Sequence, residues 1–277
     1  MTKNKYLLVT VSGGRSSARM ARHIQTSKKY AGYEKLYAFC NTGQEREETI
    51  EFLRAMVYYW KLPLVLLEGV YSDIDGVGVK HKIVDFDNLS MNSEPFTGAI
   101  MQLNKNKWTG VPNQATPYCS DYLKTRVSHS FAREIFGTTN YIKAIGYRKE
   151  DMPKRITLAE LKEDKKRIAP LLTDFKNPIG QRELNNWFNK QPFKLQLHGK
   201  YGNCKLCWKK SNLDLVESLQ YGVDENTINW YRHNEQEYGN MFFRNNLSID
   251  DLIKIAESGT QLSLLDDTNG DKCVCNF

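Results

Sequence analysis

Residues 6–17, with the sequence YLLVTVSGGRSS, decide the fold. Residues 6–11 form a nearly continuous apolar run, and this run ends at the glycine pair Gly13-Gly14. An apolar run of this length that stops at a turn is typical of a strand buried on both faces of a parallel sheet. Residues 16–29 follow with helical spacing of their apolar positions. The stretch therefore predicts a first strand, a glycine turn and a helix.

The same alternation continues through the N-terminal half of the chain. Strands joined through helices by right-handed crossovers form a parallel sheet. We therefore predict an α/β fold with a doubly wound, mostly parallel sheet. The further strands are expected at residues 35–40, 64–67 and 141–145, and the further helices at 47–60 and 120–136.

The pattern changes in the second half of the chain. Short helical pieces are predicted at residues 181–190, 211–220 and 248–258, and the loops between them carry cysteines. The segment 69–118 has little periodicity, and we interpret it as a long excursion of loops. We place a nucleotide-binding α/β domain at 1–175 and a C-terminal helical, cysteine-bearing extension at 176–277.

Composition restricts the class of protein. Of the 277 residues, 40% are hydrophobic and 26% are charged, which is typical of a globular domain. No apolar run approaches the ~20 residues that cross a bilayer, so we expect no membrane partner. The first apolar run meets a glycine turn, so we interpret it as a strand and not a signal peptide, and we expect a cytoplasmic protein. Six cysteines in such a chain indicate reduced thiols, metal ligands or redox chemistry.

The turn after the first strand has the composition of an anion site. Glycines let backbone N–H groups converge on a phosphate, and the positive end of the following helix favours negative charge. The simpler interpretation is a helix start capped by a serine. The candidate phosphate-binding residues of this turn are Ser12, Gly13, Gly14, Arg15, Ser16 and Ser17.

Taken in order, several motifs resemble the phosphoadenosine phosphosulfate (PAPS) reductase-like branch of the adenine nucleotide alpha-hydrolase-like superfamily, the PP-loop ATP pyrophosphatases. The resemblance extends from residue 6 to residue 275. It lies in SGGRSSA at 12–18, in Asn41-Thr42-Gly43 with Glu48-Thr49 following, in YCSDYLK at 118–124, in Gly146-Tyr147-Arg148 with Arg155 beyond, and in the cysteine motifs at 204–207 and 273–275.

This resemblance implies a nucleotide-binding site. It implies an adenine nucleotide, ATP or else PAPS or adenylylsulfate, held by the turn at 12–17 and by Asn41, Thr42 and Gly43, with Mg²⁺ on the phosphates. Arg148, Arg155 and Lys124 would neutralise charge in the transition state, since guanidinium groups bind phosphate oxygens bidentately. The intact Ser-Gly-Gly is closer to the ATP-cleaving members. Ser16 and Asn41, however, stand where the ATP-type loop and the reductases have Asp.

The cysteines predict a metal centre or a redox centre. A C-x-x-C pair brings two sulfurs to one metal, and thiolates suit zinc or iron–sulfur clusters. A zinc site would use Cys204, Cys207, Cys273 and Cys275. A 4Fe–4S cluster, the interpretation we favour slightly, would use Cys119, Cys204, Cys207 and one of the two tail cysteines. A third interpretation makes a tail cysteine the mobile nucleophile of a reductase. Cys40, at the end of an apolar strand, is expected in the core.

Three functions follow from these patterns. The first is an ATP-binding enzyme that cleaves the α–β phosphate bond and adenylates an acceptor, with a sulfur donor as a candidate partner. The second is a PAPS or adenylylsulfate reductase that forms sulfite. The third is a nucleic-acid-binding module with a structural metal, because lysines 190–210 interleave with aromatic residues that could stack on bases. These aromatic residues are Trp187, Phe188, Phe193, Tyr201 and Trp208.

Overall fold

A single mixed sheet forms the centre of the structure, a computed structural model that describes residues 5–74, 76–105 and 109–258. The strands are β1 (Lys5–Thr10), β2 (Tyr33–Asn41), β3 (Leu64–Val70), β4 (Lys80–Val84), β5 (Ile142–Ala144) and β6 (Arg167–Ile168). The six strands lie in the order β4-β3-β2-β1-β5-β6. β4 runs antiparallel to β3, and all other neighbours are parallel. The predicted α/β class and the mostly parallel sheet are confirmed.

Helices cover both faces of this sheet. Alternate residues of a strand point to opposite faces, and β1 shows this directly. Leu7 and Val9 pack in a core with α1 (Arg15–Thr26) and α2 (Glu47–Trp60), whereas Leu8 packs in a second core with α4 (Arg126–Phe136). β1 is therefore buried on both sides, as its apolar run indicated.

The chain reverses direction across the sheet at β1. From β1 it moves outward through β2 to β3, and it later returns to the other side of β1 to form β5. In open α/β sheets the loops at such a switch point diverge at the carboxyl ends of the strands and leave a crevice there. The glycine turn that follows β1 lies at this crevice.

Two elements lie within residues 69–118, where the sequence indicated only loops. The edge strand β4 has the sequence KHKIV and is mostly exposed, so it lacks the apolar run of a buried strand. Helix α3 (Glu94–Asn104) begins with Glu94-Pro95, and proline is favoured in a first helical turn. A short π-helical turn (Asp121–Thr125) leads into α4, where the sequence indicated one continuous helix.

The C-terminal helices divide between two cores. α7 (Gln181–Phe188) lies beyond the predicted boundary at residue 175, yet it packs Leu184 and Phe188 into the same core as α1 and α2. A separate core joins α3 to α8 (Asn212–Tyr221), α9 (Glu225–Tyr238) and α10 (Ile249–Ser258). The remaining α-helices of the described residues are the short α5 (Leu158–Glu163) and α6 (Pro170–Thr173). In the part of the chain that the structure describes, no helix combines the length and apolarity needed to span a membrane.

A buried carboxylate attaches the segment after α6 to the region of α1. Asp174 is 2% exposed, and its oxygens accept hydrogen bonds from His23 Nε2 at 3.0 Å, Lys29 Nζ at 2.5 Å and Tyr30 Oη at 2.6 Å. Burial alone would raise the pKa of this carboxyl, but these hydrogen bonds hold it well below its usual range. The charged form is therefore the one that stabilises the fold.

We predict that Asp174→Asn lowers the free energy of unfolding at pH 7 by about 2–4 kcal/mol, because it removes the buried charge and replaces one of its two acceptor oxygens by a donor NH₂ group that faces other donors. In the wild type this contribution is complete above pH ~4, the ordinary pKa of an aspartate, and is lost as the pH falls toward the lower folded value. Urea unfolding at pH 7 and pH 3 measures both effects. The exposed Asp73→Asn is the control, and an equal effect of the two variants would contradict the prediction.

Candidate functional site

The turn between β1 and α1 has a backbone that only glycine fits at one position. Gly13 has φ of +74°, in the left-handed region, and a Cβ there would collide with the side chain of Thr49 on α2. Gly14 is the residue before α1, and it has no side chain to cap the helix. Gly13 thus lets the backbone pass close to α2. Gly14 leaves the start of α1 without a side-chain cap.

Ser17 holds this turn in shape. Its hydroxyl accepts from the backbone N–H of Ser12 at 3.0 Å and lies 3.0 Å from the carbonyl of Gly14. Among the described residues, no oxygen accepts a hydrogen bond from the backbone N–H of Gly13, Gly14 or Ser16. Unpaired N–H groups at a helix N-terminus form a ready site for an anion. The turn therefore has the unpaired backbone N–H groups that an anion site needs, and the hydrogen bonds of Ser17 hold its shape.

Arg15 does not point its guanidinium at this turn as a phosphate ligand would. Its Nη2 donates to the carbonyls of Leu195 at 3.2 Å and Leu197 at 3.4 Å. Burial lowers the pKa of Arg15. The side chain therefore attaches the segment after α7 to the start of α1, and only its backbone contributes to the turn.

The loop after β5 crosses directly over the start of α1. A Cβ on Gly146 would lie 2.9 Å from both the N and the Cα of Ser17, so only glycine allows this approach. Two residues later Arg148 donates to the side chain of Gln181, and its Nε lies 3.6 Å from a carboxylate oxygen of Glu150. The geometry brings the backbone of this motif to the turn at 12–17.

Arg155 is attached to the same loop by a buried carboxylate. Its Nη1 lies 3.2 Å from Oδ1 of Asp151, while Oδ2 of Asp151 accepts from the backbone N–H of Arg148 at 2.9 Å. Both predicted arginines therefore have carboxylate neighbours in the structure. Lys124 lies elsewhere, buried beside the cysteines described below.

Asn41, Thr42 and Gly43 follow β2, the neighbour of β1, but their side chains are used for internal contacts. The amide of Asn41 donates to Glu68 Oε1 and to the carbonyl of Ser90, both at 2.7 Å, and its oxygen accepts from the N–H of Gly43 at 3.2 Å. Thr42 is bound through its N–H and its hydroxyl to the carboxylate of Glu45. These residues therefore have a structural role at the end of β2, next to the turn at 12–17.

The same segment contacts the first cysteine motif. The carbonyl of Gln44 accepts from the backbone N–H of Lys205 at 2.8 Å, and the hydroxyl of Thr42 lies 3.6 Å from Sγ of Cys204. Sequence reasoning missed Gln44 and Glu45, although they directly follow the NTG motif. The contact of Gln44 with Lys205 joins residues more than a hundred positions apart, which no local pattern reveals, whereas Glu45 binds the neighbouring Thr42 and Gln44.

Three of the predicted metal-binding cysteines line one small cavity. Cys119, Cys204 and Cys207 surround a space of about 20 Å³ that is otherwise mainly apolar and is also bordered by Lys124 and Trp208. Burial raises the pKa of the neighbouring Tyr231 phenol well above its usual range, and the nearby cysteines raise it further. The structure therefore brings these thiols together from distant parts of the sequence.

The described side chains do not complete a metal site by themselves. Within residues 5–74, 76–105 and 109–258, no group of three or more His, Cys, Asp or Glu side chains is arranged to hold a metal ion. Cys273 and Cys275, of which the zinc set requires both and the cluster set requires one, lie outside the described residues. The choice between zinc and a cluster thus remains a prediction. Cys40 is fully buried, as expected, and burial raises the pKa of its thiol to about 12.

The proposed nucleic-acid face at 190–210 has internal contacts in the structure. Phe188 and Trp208 are buried, and Tyr201 stacks on Tyr221 with ring centroids 4.3 Å apart. Lys200 pairs with Glu217, and Lys205 Nζ lies 2.7 Å from Asp224. These contacts account for much of the pattern without any nucleic acid.

We predict that Asn41→Asp destabilises the protein by about 2–4 kcal/mol at pH 7, because it replaces a buried donor by a carboxylate that faces Glu68. The loss should shrink at acidic pH, where the new carboxyl is protonated. Chemical denaturation at pH 7 and pH 5 measures it, with the exposed Asn140→Asp as control, expected within about 0.5 kcal/mol of the wild type. Unchanged stability of Asn41→Asp would show that the amide is not a required donor.

We predict that anaerobically purified protein contains zinc or iron, and that Cys204→Ala and Cys207→Ala lose it while the core variant Cys40→Ala retains it. Elemental analysis and visible absorbance measure this. Loss of metal in Cys119→Ala supports the cluster ligand set, whereas retention supports the zinc set. Zinc-replete, iron-free and colourless wild type ends the cluster hypothesis, and metal-free wild type ends both.

Comparison with known proteins found a similar protein in a phage. Over 271 residues the chain is 27% identical to a protein of Escherichia phage lambda with the name "Uncharacterized nin region protein ORF290", and the match covers 94% of this chain and 88% of that protein. No family model matches the chain, and no solved structure matches it. The chain is thus similar to a phage protein over nearly its whole length.

Proposed function

We propose that this protein is an enzyme that binds ATP through the turn at residues 12–17, cleaves its α–β phosphate bond and transfers the adenylate to an acceptor. The observation that carries the proposal is the row of backbone N–H groups of Gly13, Gly14 and Ser16, which have no acceptor among the described residues and lie at a helix N-terminus. Such a row is suited to a polyphosphate and unsuited to an apolar ligand. The adenine base and the reaction come from the resemblance to PP-loop ATP pyrophosphatases.

The charge that develops on the leaving pyrophosphate needs fixed positive groups. The backbone N–H groups of the turn supply part of this stabilisation. Arg148 follows Gly146, whose backbone comes close to the start of α1, so we assign its guanidinium to the phosphates. We assign the same role to Arg155, which is linked to this loop through Asp151. Binding would require these arginines to exchange part of their contact with Glu150 and Asp151 for phosphate oxygens.

Mg²⁺ would arrive with the nucleotide and would neutralise part of the charge on its phosphates. Asn41 is not proposed as its ligand, because its amide group is already bound to Glu68, Ser90 and Gly43. Ser16, where an Asp is usual in the ATP-type loop, offers a hydroxyl in place of a carboxylate. We therefore assign the protein's contribution to the phosphates themselves and not to the cation.

We propose that the acceptor, once adenylated, reacts with a sulfur species near the cysteine cavity. Thr42 follows β2, the turn at 12–17 follows the adjacent strand β1, and Thr42 contacts Cys204. Adjacent parallel strands are about 5 Å apart, so the two motifs lie along one edge of the sheet. This arrangement suits substitution of the adenylate by a sulfur species held near the cysteines.

The nucleotide site is tested by a charge placed in it. Ser16→Glu puts a carboxylate in the first turn of α1, where the helix dipole favours it by about 0.3–1 kcal/mol, so the fold should be retained. The same carboxylate would repel phosphates, so we expect ATP affinity to fall at least tenfold. The matched control is Ala159→Glu at the second residue of α5, which is exposed and should bind ATP as the wild type does. Calorimetric titration with Mg-ATP measures both.

The reaction is tested by its product. Release of pyrophosphate from ATP when an acceptor is present, lost in Ser16→Glu and retained in Ala159→Glu, supports the proposal. Sulfite formation from PAPS or adenylylsulfate with a thiol reductant, without pyrophosphate release from ATP, would assign the reductase reaction instead. Wild-type protein that binds none of the three nucleotides would reject the nucleotide site itself.

A further inference from the structure

A basic groove lies between β4 and α4, at the edge of the sheet and on the face opposite α1 and α2. It has a volume of about 670 Å³. One wall is the start of β4, with Lys80 and His81, and the other is α4 with the π-helical turn before it. Glu134 is the one carboxylate among its described lining residues.

The helical wall carries its polar side chains in a stripe. Arg126, His129, Ser130 and Arg133 lie at spacings of three, one and three residues, which places them on one face of α4. The opposite face of the same helix packs Val127, Phe131 and Phe136 against the sheet. Because the buried face already fixes the helix, its packing does not explain the basic stripe.

Two of the cations in the groove have no carboxylate partner within the described chain. Lys80 and Arg133 are exposed, and no Asp or Glu among the described residues lies within 4.0 Å of either. Arg126 pairs with Asp121 at 2.7 Å, yet it remains half exposed over the ring of Tyr122. Burial lowers the pKa of both His81 and His129. The net positive charge near pH 7 therefore comes from the lysine and the arginines.

We propose that the basic groove binds the phosphodiester backbone of a nucleic acid. Arg126 and Arg133 are seven residues apart on α4, a distance of about 10 Å along the helix axis. One strand of a duplex carries a phosphate about every 3.4 Å, so this span corresponds to about three phosphates. Lys80 faces the same groove from the other wall. Cations spread over two walls and 10 Å suit a chain of phosphates better than a single anion.

Protection of the edge strand β4 against pairing with another chain explains only part of the basic groove. Lysines on an edge strand discourage pairing with another chain, and this accounts for Lys80 and Lys82 on β4. It does not account for Arg126 and Arg133, which lie on a helix and offer no unpaired strand. The groove uses both elements, and its ligand must contact both.

The test compares two double variants that remove the same charge. Lys80→Gln with Arg133→Gln removes the two unneutralised cations of the groove. Lys28→Gln with Lys162→Gln removes two exposed lysines from other parts of the molecule. Binding to labelled 20-nucleotide single strands and to duplexes of DNA and RNA is measured by fluorescence anisotropy from 25 to 200 mM salt.

The wild type is expected to bind at low salt, with affinity falling as salt rises. The groove variant should bind at least tenfold more weakly at 25 mM salt, and its slope of log K against log salt should be smaller by about 1.4–1.8, since each phosphate contact contributes about 0.7–0.9. The control should keep the wild-type slope. Equal slopes of the two doubles, or no salt-dependent binding by the wild type, would overturn the proposal. Mg-ATP affinity, measured on the same proteins, should be unchanged in both doubles, so the groove is tested independently of the nucleotide site.

Discussion

The contact between Gly13 and α2 is the constraint on which the rest of the site depends. The glycine passes so close to Thr49 that no side chain fits, and its left-handed backbone turns the chain from β1 into α1. α1 therefore begins at Arg15 without a side-chain cap at Gly14, and its first N–H groups stay open to an anion. The second close approach, of Gly146 to Ser17, brings the loop after β5 onto the same turn. Two glycines from distant parts of the chain thus define one site.

The exit from β2 joins this site to the cysteines through a buried polar network. The amide of Asn41 donates to Glu68, and the carboxylate of Glu45 accepts from the backbone N–H groups of Thr42 and Gln44. Because buried polar groups are costly unless each is paired, such a network has few alternative arrangements. Its outer atoms bind the chain at Cys204 and Lys205. The position of the cysteine motif relative to the sheet is therefore determined by hydrogen bonds and not by apolar packing alone.

Much of the fold could be predicted because its signals are local. The strands β1, β2 and β3 and the helices α1 and α2 have apolar patterns that match their burial, and they appear within a few residues of the predicted bounds. Strand β4 could not be found, because an exposed edge strand of sequence KHKIV has no apolar pattern to detect. The helix α9 has a polar sequence, ENTINWYRHNEQEY, and its few buried positions are explained only by its packing against α3 and α10.

The sequence by itself determined the parallel α/β core and the position of the glycine turn, since strand burial and left-handed glycine are properties of a few neighbouring residues. It also singled out most residues of the candidate site, although it missed Gln44 and Glu45. Only the tertiary structure decided what their side chains do: Arg15 binds the carbonyls of Leu195 and Leu197, and Asn41 binds Glu68. The basic groove is likewise a tertiary feature, since Lys80 and Arg133 are far apart in sequence. The physical reason is that a side chain's partners are set by which elements pack together, and that packing is decided over the whole chain.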